Sequence, residues 1–491
     1  MKISACIIAK NEEENLPRLL NSLKGKFDEI VLVDTGSTDK TIEIAKSYGC
    51  RVFEKEWNGF ADARNYAVEK ATGDWIWFFD ADMELEEKEY ERFKRILSIV
   101  KNDNINGIRV IYRNISPDGK VISLSSTVHI HKKLPYLKWV GKIHERLINE
   151  KGDVIVPPYP VYVNHYGYSD PDVMKKKIKR NLGLLEEELI YLDIDKNPEE
   201  YLIKLFYLAQ SYAASLGFYP ENLDKTIHYS EKFLNINKEK KVIPQTNIFN
   251  KHIYIYLLNG YLNKKDFAKA EKALDEALSI DSKYPDYLYI KGILEKEKGN
   301  IKKAVEAFLD FIVVVDRTTS SKNPDLNIIS DYSHNIKDLV EEGLLEYPVE
   351  LDKIKNLWKK EKGIYSGVLL SNIYLKNNNK KEAVKVLNKL YKLYKDPFVG
   401  NKLAKIYEED NPEKAEMLYK DIIKYAPQYA ETFYNLALLL SRHKRIEESL
   451  SFATEYVKRT KSQKGLLLLY DLLKDSRYKD EAKKLEKIFT L

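Results

Sequence analysis

The chain has 491 residues, with 81 Lys and Arg against 75 Asp and Glu, a formal net charge of +6, and 44% hydrophobic residues. That length predicts two or more domains with a substantial core, and a charge so near balance argues against a nucleic acid partner. Two cysteines, Cys6 and Cys50, are too few for a disulfide framework or a zinc cluster, which points to a reducing cytoplasm.

The opening "MKISACIIAKNEEEN" has too short an apolar stretch for a signal peptide, and acidic residues follow at once. No run of about 18 apolar residues occurs, so no transmembrane segment is expected. From residue 2 to about 82, "ISACIIA", "EIVLVD", "RVFEKEW" and "DWIWFFD" read as strands. Between them "ENLPRLLNSLKG", "TDKTIEIAKSYG" and "ADARNYAVEKATG" read as helices. Continuous apolar strands alternating with helices predict a buried parallel sheet. Residues 107–165 are β-rich, in "GIRVIYR", "VISLSSTVHIH" and "VIVPPYPVYVN", with "SPDG" as a turn, and predict a mixed sheet that finishes the first domain.

After Pro171 the strand signals stop, and "PDVMKKKIKRNLGLLEEELIYLDID" reads as one long charged helix. Helical patterns then repeat to the end. Ala270 and Ala304 are 34 residues apart, as are Phe267 and Ile301, and Ala415 and Ser449. That period and its small and aromatic spacing are those of tetratricopeptide repeats, with about six helix pairs and irregular insertions near 238–250 and 317–366. The expected domains are 1–171, a linking helix 172–198, and helical repeats over 199–491.

The polar clusters fall at strand ends, where open parallel sheets bind ligands. "AKNEEEN", "DTGSTDKT" and "DADMELE" follow the first, second and fourth strands. Asp34 ends a buried strand, where its carboxylate can accept hydrogen bonds from a nucleobase or ribose. In an extended segment Asp80 and Asp82 share a face. Two carboxylates so close call for a cation, and Mn²⁺ or Mg²⁺ leaves coordination positions for substrate phosphates. Trp57, Trp75 and Trp77 read as core or pocket wall, and "MKKKIKR" at 174–180 reads as a solvated helix face.

"IIAKNEEENL", "VDTGSTDKT", "ADARNYA" and "WIWFFDAD" resemble the family 2 inverting glycosyltransferases of the GT-A fold, a Rossmann-like α/β architecture. "WVGKIHER", "VYVNHYGY" and "KRNLGLLEEEL" look like the branch that joins this domain to tetratricopeptide repeats, where sublancin-type peptide S-glycosyltransferases and flagellin-modifying enzymes belong. The resemblance covers about residues 3–190 and implies a nucleotide-sugar donor, usually a UDP-sugar. It implies that Ala9, Asn11, Glu12 and Asp34 bind the nucleotide, and that Arg64 lies near the diphosphate. Asp82 would ligate the metal, with Asp80 on the ribose or a metal-bound water, and Ala81 between them would bind the nucleotide sugar. His165 resembles a late metal ligand or diphosphate contact, and Glu145 sits where inverting relatives place the base, with Asp62 as second choice. Where relatives often read Arg-x-Phe-Arg, this chain has His129-Ile130-His131-Lys132, so no diphosphate contact carries over there.

The expected function is metal-dependent, inverting sugar transfer from a nucleotide diphosphate to a Ser, Thr or Cys side chain of a peptide or protein presented by the repeats. A lipid-linked or surface-polysaccharide acceptor is one alternative, and a repeat scaffold with a degenerate catalytic domain is another. A homodimer stays open.

Overall fold

The computed structural model describes residues 2–100, 104–115, 121–167, 171–319, 335–427, 429–460 and 463–474. Two compact units divide the chain after Ser282.

In the first unit, β1 (Ile3–Ala9), β2 (Glu29–Asp34), β3 (Arg51–Glu54) and β4 (Trp75–Asp80) form a parallel array in the order β3-β2-β1-β4. Its strands are apolar throughout because both faces are covered. On one face Ala5, Ile7, Trp75, Trp77 and Phe79 pack against Leu16, Leu19, Leu20 and Leu23 of α1 (Leu16–Leu23) and Phe93, Ile96 and Leu97 of α4 (Glu87–Ile99). On the other, Cys6, Val31, Val33, Ile76 and Phe78 pack against Ala61 and Ala67 of α3 (Phe60–Lys70). Trp77, Phe78 and Phe79 are fully buried, each worth about 1.5–3 kcal/mol of transfer free energy, so β4 is an anchored rod. The remaining early helix is α2 (Thr41–Ser47).

Beyond β4 the sheet becomes mixed. It continues through β7 (Val121–Lys132), β6 (Gly107–Ile115) and β10 (Val161–His165) to the two-residue strand β5 (Met83–Glu84). A separate ribbon pairs β8 (Leu137–Val140) with β9 (Arg146–Asn149). The expected strand over 154–164 shortens to Val161–His165, because Pro157, Pro158 and Pro160 remove ladder donors. The "SPDG" turn at 116–119 lies outside the described residues.

Helices follow. In α5 (Pro171–Ile190), Leu182 and Leu185 pack with Leu208 and Tyr212 of α6 (Pro198–Ser215), and this layer buries Ile143 from the β8–β9 connection. Helices α7 (Leu223–Lys240), α8 (Ile248–Asn263) and α9 (Phe267–Ile280) complete the unit.

The second unit is helical in its described residues. It comprises α10 (Pro285–Glu297), α11 (Ile301–Thr319), α12 (Ile336–Glu341), α13 (Leu351–Glu361), α14 (Ile364–Lys376), α15 (Lys380–Tyr394), α16 (Pro397–Asp410), α17 (Pro412–Tyr425), α18 (Glu431–Arg442), α19 (Ile446–Thr460) and α20 (Gln463–Lys474). The pairs α6·α7, α8·α9, α10·α11, α14·α15, α16·α17 and α18·α19 give the six predicted from the repeat, with the irregular 317–366 insertion lying partly outside the described residues. Ala270, Ala304, Ala415 and Ser449, all buried, are the small residues on which the period rests. Several repeat tyrosines are packing residues: Tyr254, Tyr261 and Tyr287 are buried. Tyr254 donates to Glu276 and Tyr261 to Glu231. No described helix is long and apolar enough to cross a membrane.

Candidate active site

Three polar strand ends meet at one edge of the parallel array. Ala9 of β1 pairs with Asp34 of β2 on one side, and Ile8 pairs with Asp80 of β4 on the other. Two strand spacings put Asp34 and Asp80 about 10 Å apart. Asp34 Oδ2 accepts the backbone N–H groups of Gly36 and Ser37, each at 2.9 Å, while its Oδ1 is buried with no hydrogen-bond partner. Gly36 makes this turn possible at φ +101°. Asn11, itself left-handed at φ 56°, accepts the Thr38 N–H at 2.8 Å and locks the two loops together. Glu12 takes the Asn15 amide at 2.9 Å, and burial together with the nearby Asp82 and Asp80 raises its pKa. Ala9 and Ala81 are buried backbone supports.

Asp80 ends β4, but Asp82 lies in the turn between β4 and β5. A turn, and not a shared pleat face, therefore brings the two carboxylates together. His165 arrives through β10, whose register sets it opposite Met83 on one side and Asn114 on the other. Ligand atoms of Asp80, Asp82 and His165 lie within 4.8 Å of one another. His165 Nδ1 meets Asn114 Oδ1 at 2.7 Å, which turns Nε2 towards Asp82 Oδ1 at 3.3 Å. At that contact Asp82 Oδ1 is buried and outside hydrogen-bond geometry. Two carboxylates, one of them with an orphaned buried oxygen, and an oriented imidazole fit a divalent cation.

Gly167 keeps the space open: a Cβ there would lie 2.5 Å from Asp82 Oδ2 and 2.8 Å from His165 Nε2. Burial pushes Asp82 up, yet His165 and Lys177 overcome it and hold the carboxyl at about 2. Burial pushes His165 down, and Asp82 and Asp80 more than restore it, so its pKa is raised. Enclosure and the Asp82 charge raise Asp80 against the pull of Arg64; with 44% of its side chain open to solvent, water moderates that enclosure.

Arg64 of α3 is buried, with the rings of Phe78 and Trp139 4.8 and 5.0 Å from its guanidinium carbon. Its Nε donates to Glu145 Oε1 at 2.7 Å, and a terminal nitrogen lies 3.7 Å from Asp80. One guanidinium thus ties Glu145, 81 residues from Arg64 along the chain, to the Asp80 cluster. Asp62 is directed elsewhere, to Lys55 at 3.0 Å.

The loop carrying Glu145 is clamped by α5 and α6. Glu188 accepts the Lys142 N–H at 2.8 Å and Lys204 Nζ at 2.9 Å, and His144, at φ 51°, stacks on Tyr207 at 4.2 Å. His129 and His131 are core residues: His129 bonds Tyr112, and His131 Nε2 accepts the Trp139 indole N–H at 3.2 Å. Burial lowers both.

Sequence patterns did not single out Lys177, Asn114, Gly167 or the Glu188–Lys204 clamp. Lys177 Nζ reaches Asp82 Oδ2 at 3.4 Å, from a stretch that reads as a solvated face. The one available signal was that α5 follows His165 almost directly.

The fold and this strand-end cluster define a glycosyltransferase, with a Rossmann-like domain of the GT-A type followed by tetratricopeptide repeats. The family model described as glycosyl transferase family 2 matches residues 4–156, and a tetratricopeptide-repeat model matches 257–284 and 368–397. An uncharacterized glycosyltransferase of Rickettsia bellii is 40% identical over 265 residues, covering 50% of this chain and 88% of that protein. The SPbeta prophage-derived glycosyltransferase SunS of Bacillus subtilis is 31% identical over 196 residues, 38% of this chain and 45% of SunS. The uncharacterized glycosyltransferase RT0209 of Rickettsia typhi is 32% identical over 136 residues, 27% of this chain and 47% of that protein. The chain therefore spans about half the length of these last two curated relatives. It belongs to glycosyltransferase family 2.

Proposed function

We propose that the chain transfers a sugar, with inversion, from a nucleotide-diphosphate donor, a UDP-sugar, to a Ser, Thr or Cys side chain of a peptide or protein. The observation that carries this is the row of strand ends: Asp34 with one free buried oxygen, then the Asp80, Asp82 and His165 cluster about 10 Å away. That spacing suits a nucleoside at Asp34 and its diphosphate at the cluster.

Asp82 and His165 would hold Mn²⁺ or Mg²⁺ directly, with Asp80 on the ribose or on a metal-bound water. Such an ion, when bound, stabilises negative charge on a departing diphosphate. Asn11, Glu12 and the backbone at Ala9 and Ala81 line the nucleotide side. Glu145 is the base: Arg64 fixes Oε1, leaving Oε2 to take the acceptor proton as the acceptor oxygen or sulfur attacks the anomeric carbon opposite the leaving diphosphate. Arg64 also faces Asp80, so it lies where diphosphate charge develops.

The peptide acceptor is supported by the resemblance of "WVGKIHER" and "KRNLGLLEEEL" to the repeat-bearing branch and by the repeats themselves. Buried, unpaired Cys6 and Cys50 suit a cytoplasmic setting. Incubation with a panel of nucleotide sugars and Mn²⁺, read as nucleoside diphosphate release, tests the proposal. Release that persists undiminished with chelator, or in Asp82→Ala, would defeat the metal-assisted reading.

A further inference from the structure

Helix α5 carries Lys175, Lys176, Lys177, Lys179 and Arg180, broken only by Ile178, and they differ in placement. Lys175, Lys176, Lys179 and Arg180 are exposed, whereas Lys177 is half-buried and turns inward to Asp82 Oδ2 at 3.4 Å. Opposite it, His165 Nε2 meets the other oxygen of the same carboxylate at 3.3 Å. Asp82 itself is nearly closed to solvent. An ammonium therefore stands on the carboxylate that the proposed function gives to a divalent ion.

The two cations compete. A divalent ion on Asp82 withdraws the negative charge that holds Lys177 and repels the ammonium across a few ångströms. The helix does not have to move with it, since Leu182 and Leu185 root α5 in the core. The lysine stem is long and flexible, and 35% of the side chain is exposed, so the head can swing. The nearest new anion is whatever that metal holds. For a nucleotide-sugar donor this is the diphosphate, and lysine binds phosphate oxygens well as a point charge.

We propose that Lys177 is a donor-binding residue that exchanges partners: it pairs with Asp82 until a divalent ion takes that carboxylate, then moves to the donor's diphosphate. The inference rests on the donor and metal reading above. It adds a dependence that a fixed cation would not give, because Lys177 opposes the metal when the metal binds alone and assists it when the nucleotide is present.

The test is calorimetry on the full chain, with MnCl2 alone and then with UDP in saturating Mn²⁺. Lys177→Met is expected to bind Mn²⁺ alone severalfold more tightly than wild type, and to bind UDP about 10-fold more weakly in the presence of Mn²⁺. Lys177→Arg, which keeps the charge, should stay near wild type for UDP. Lys177→Gln should repeat the split seen with Met, and equal melting temperatures would show that folding is unaffected. Mn²⁺ affinity that falls or stays level in both uncharged variants overturns the exchange, as does unchanged UDP affinity. Wild-type chain that binds no UDP with Mn²⁺ removes the donor reading and this inference together; wild type that binds while all three variants match it removes only this inference.

Discussion

Glu188→Ala tests whether the helices after the sheet hold the catalytic loop. Lys204 has only 4% of its side chain exposed and Glu188 13%, and the two meet at 2.9 Å. Removing Glu188 leaves a buried ammonium with Glu200 at 3.7 Å as its remaining carboxylate. Breaking a buried pair from one side costs about 3–5 kcal/mol, and the residual Glu200 contact places this case near 3. For a unit of this size that is a fall of about 6–10 °C in Tm. The second consequence is local. Glu188 also accepts the Lys142 N–H, three residues before Glu145, so its loss releases the loop. A shift of about 1 Å in a reacting group can cost around 100-fold in rate. Transfer to acceptor should therefore fall about 10- to 100-fold, while UDP affinity in Mn²⁺ is unchanged, because Asp34 and Asp82 stand on β2 and the β4–β5 turn. Pairing the change with Lys204→Met removes the orphaned charge and should restore at least about 1 kcal/mol over the single variant. The reasoning is refuted if Glu188→Ala melts and transfers as wild type, or if the double variant loses the sum of the two single losses.

Glu145→Gln should keep donor binding and slow transfer to a hydroxyl acceptor by about 10²–10⁴-fold; wild-type transfer rates would assign the base elsewhere. Gly167→Ala should abolish tight Mn²⁺ binding with little change in Tm, since its Cβ meets only side-chain tips at the cluster; normal Mn²⁺ affinity would show that the pocket has slack. Removing residues 283–491, and so cutting between the compact units, should leave a folded fragment that still hydrolyses donor but loses transfer to a protein acceptor. A monodisperse fragment with wild-type transfer would confine the repeats after residue 282 to other tasks. In the second unit, Asp316 accepts the backbone N–H groups of Tyr365 and Ser366 at 2.7 and 2.9 Å, and burial pushes its carboxyl up to about 6. A raised acid contributes stability that is complete below its unfolded pKa of about 4 and is lost as pH rises through 6. Amide protection in α14, corrected for intrinsic exchange, should therefore fall between pH 4 and 7; a flat profile would exclude the effect.

The parallel half of the sheet was legible because its signals are local. Apolar runs such as "DWIWFFD" and the Gly25 and Gly49 helix ends need no distant partner to be read. The strand-end acids were legible for the same reason, as Asp34 and Asp80 each terminate an apolar run. What depends on pairing across the chain was not. Nothing near residue 177 announces a carboxylate 95 positions earlier, and a basic helix run reads the same whether one lysine turns inward or none does. Composition likewise does not say which repeat tyrosines are buried, because helix face decides it, and Tyr287 faces the core. Between Val154 and Pro160, β-propensity lost to three prolines that cannot donate to a ladder.

The short strand β5 has consequences for how the protein is made. Its sheet neighbour is β10, so the turn bearing Asp82 has no tether on that side until His165 exists. His165 leaves the ribosome 83 residues after Asp82. At about 5–20 residues per second, the nascent chain carries an unfinished ligand set for about 4–17 s. The Glu145 loop is completed later still, by Glu188 and then Lys204. The candidate ligand set is therefore complete at His165, before α5 and α6 emerge to clamp the Glu145 loop, so the donor side of the site is assembled before its acceptor side.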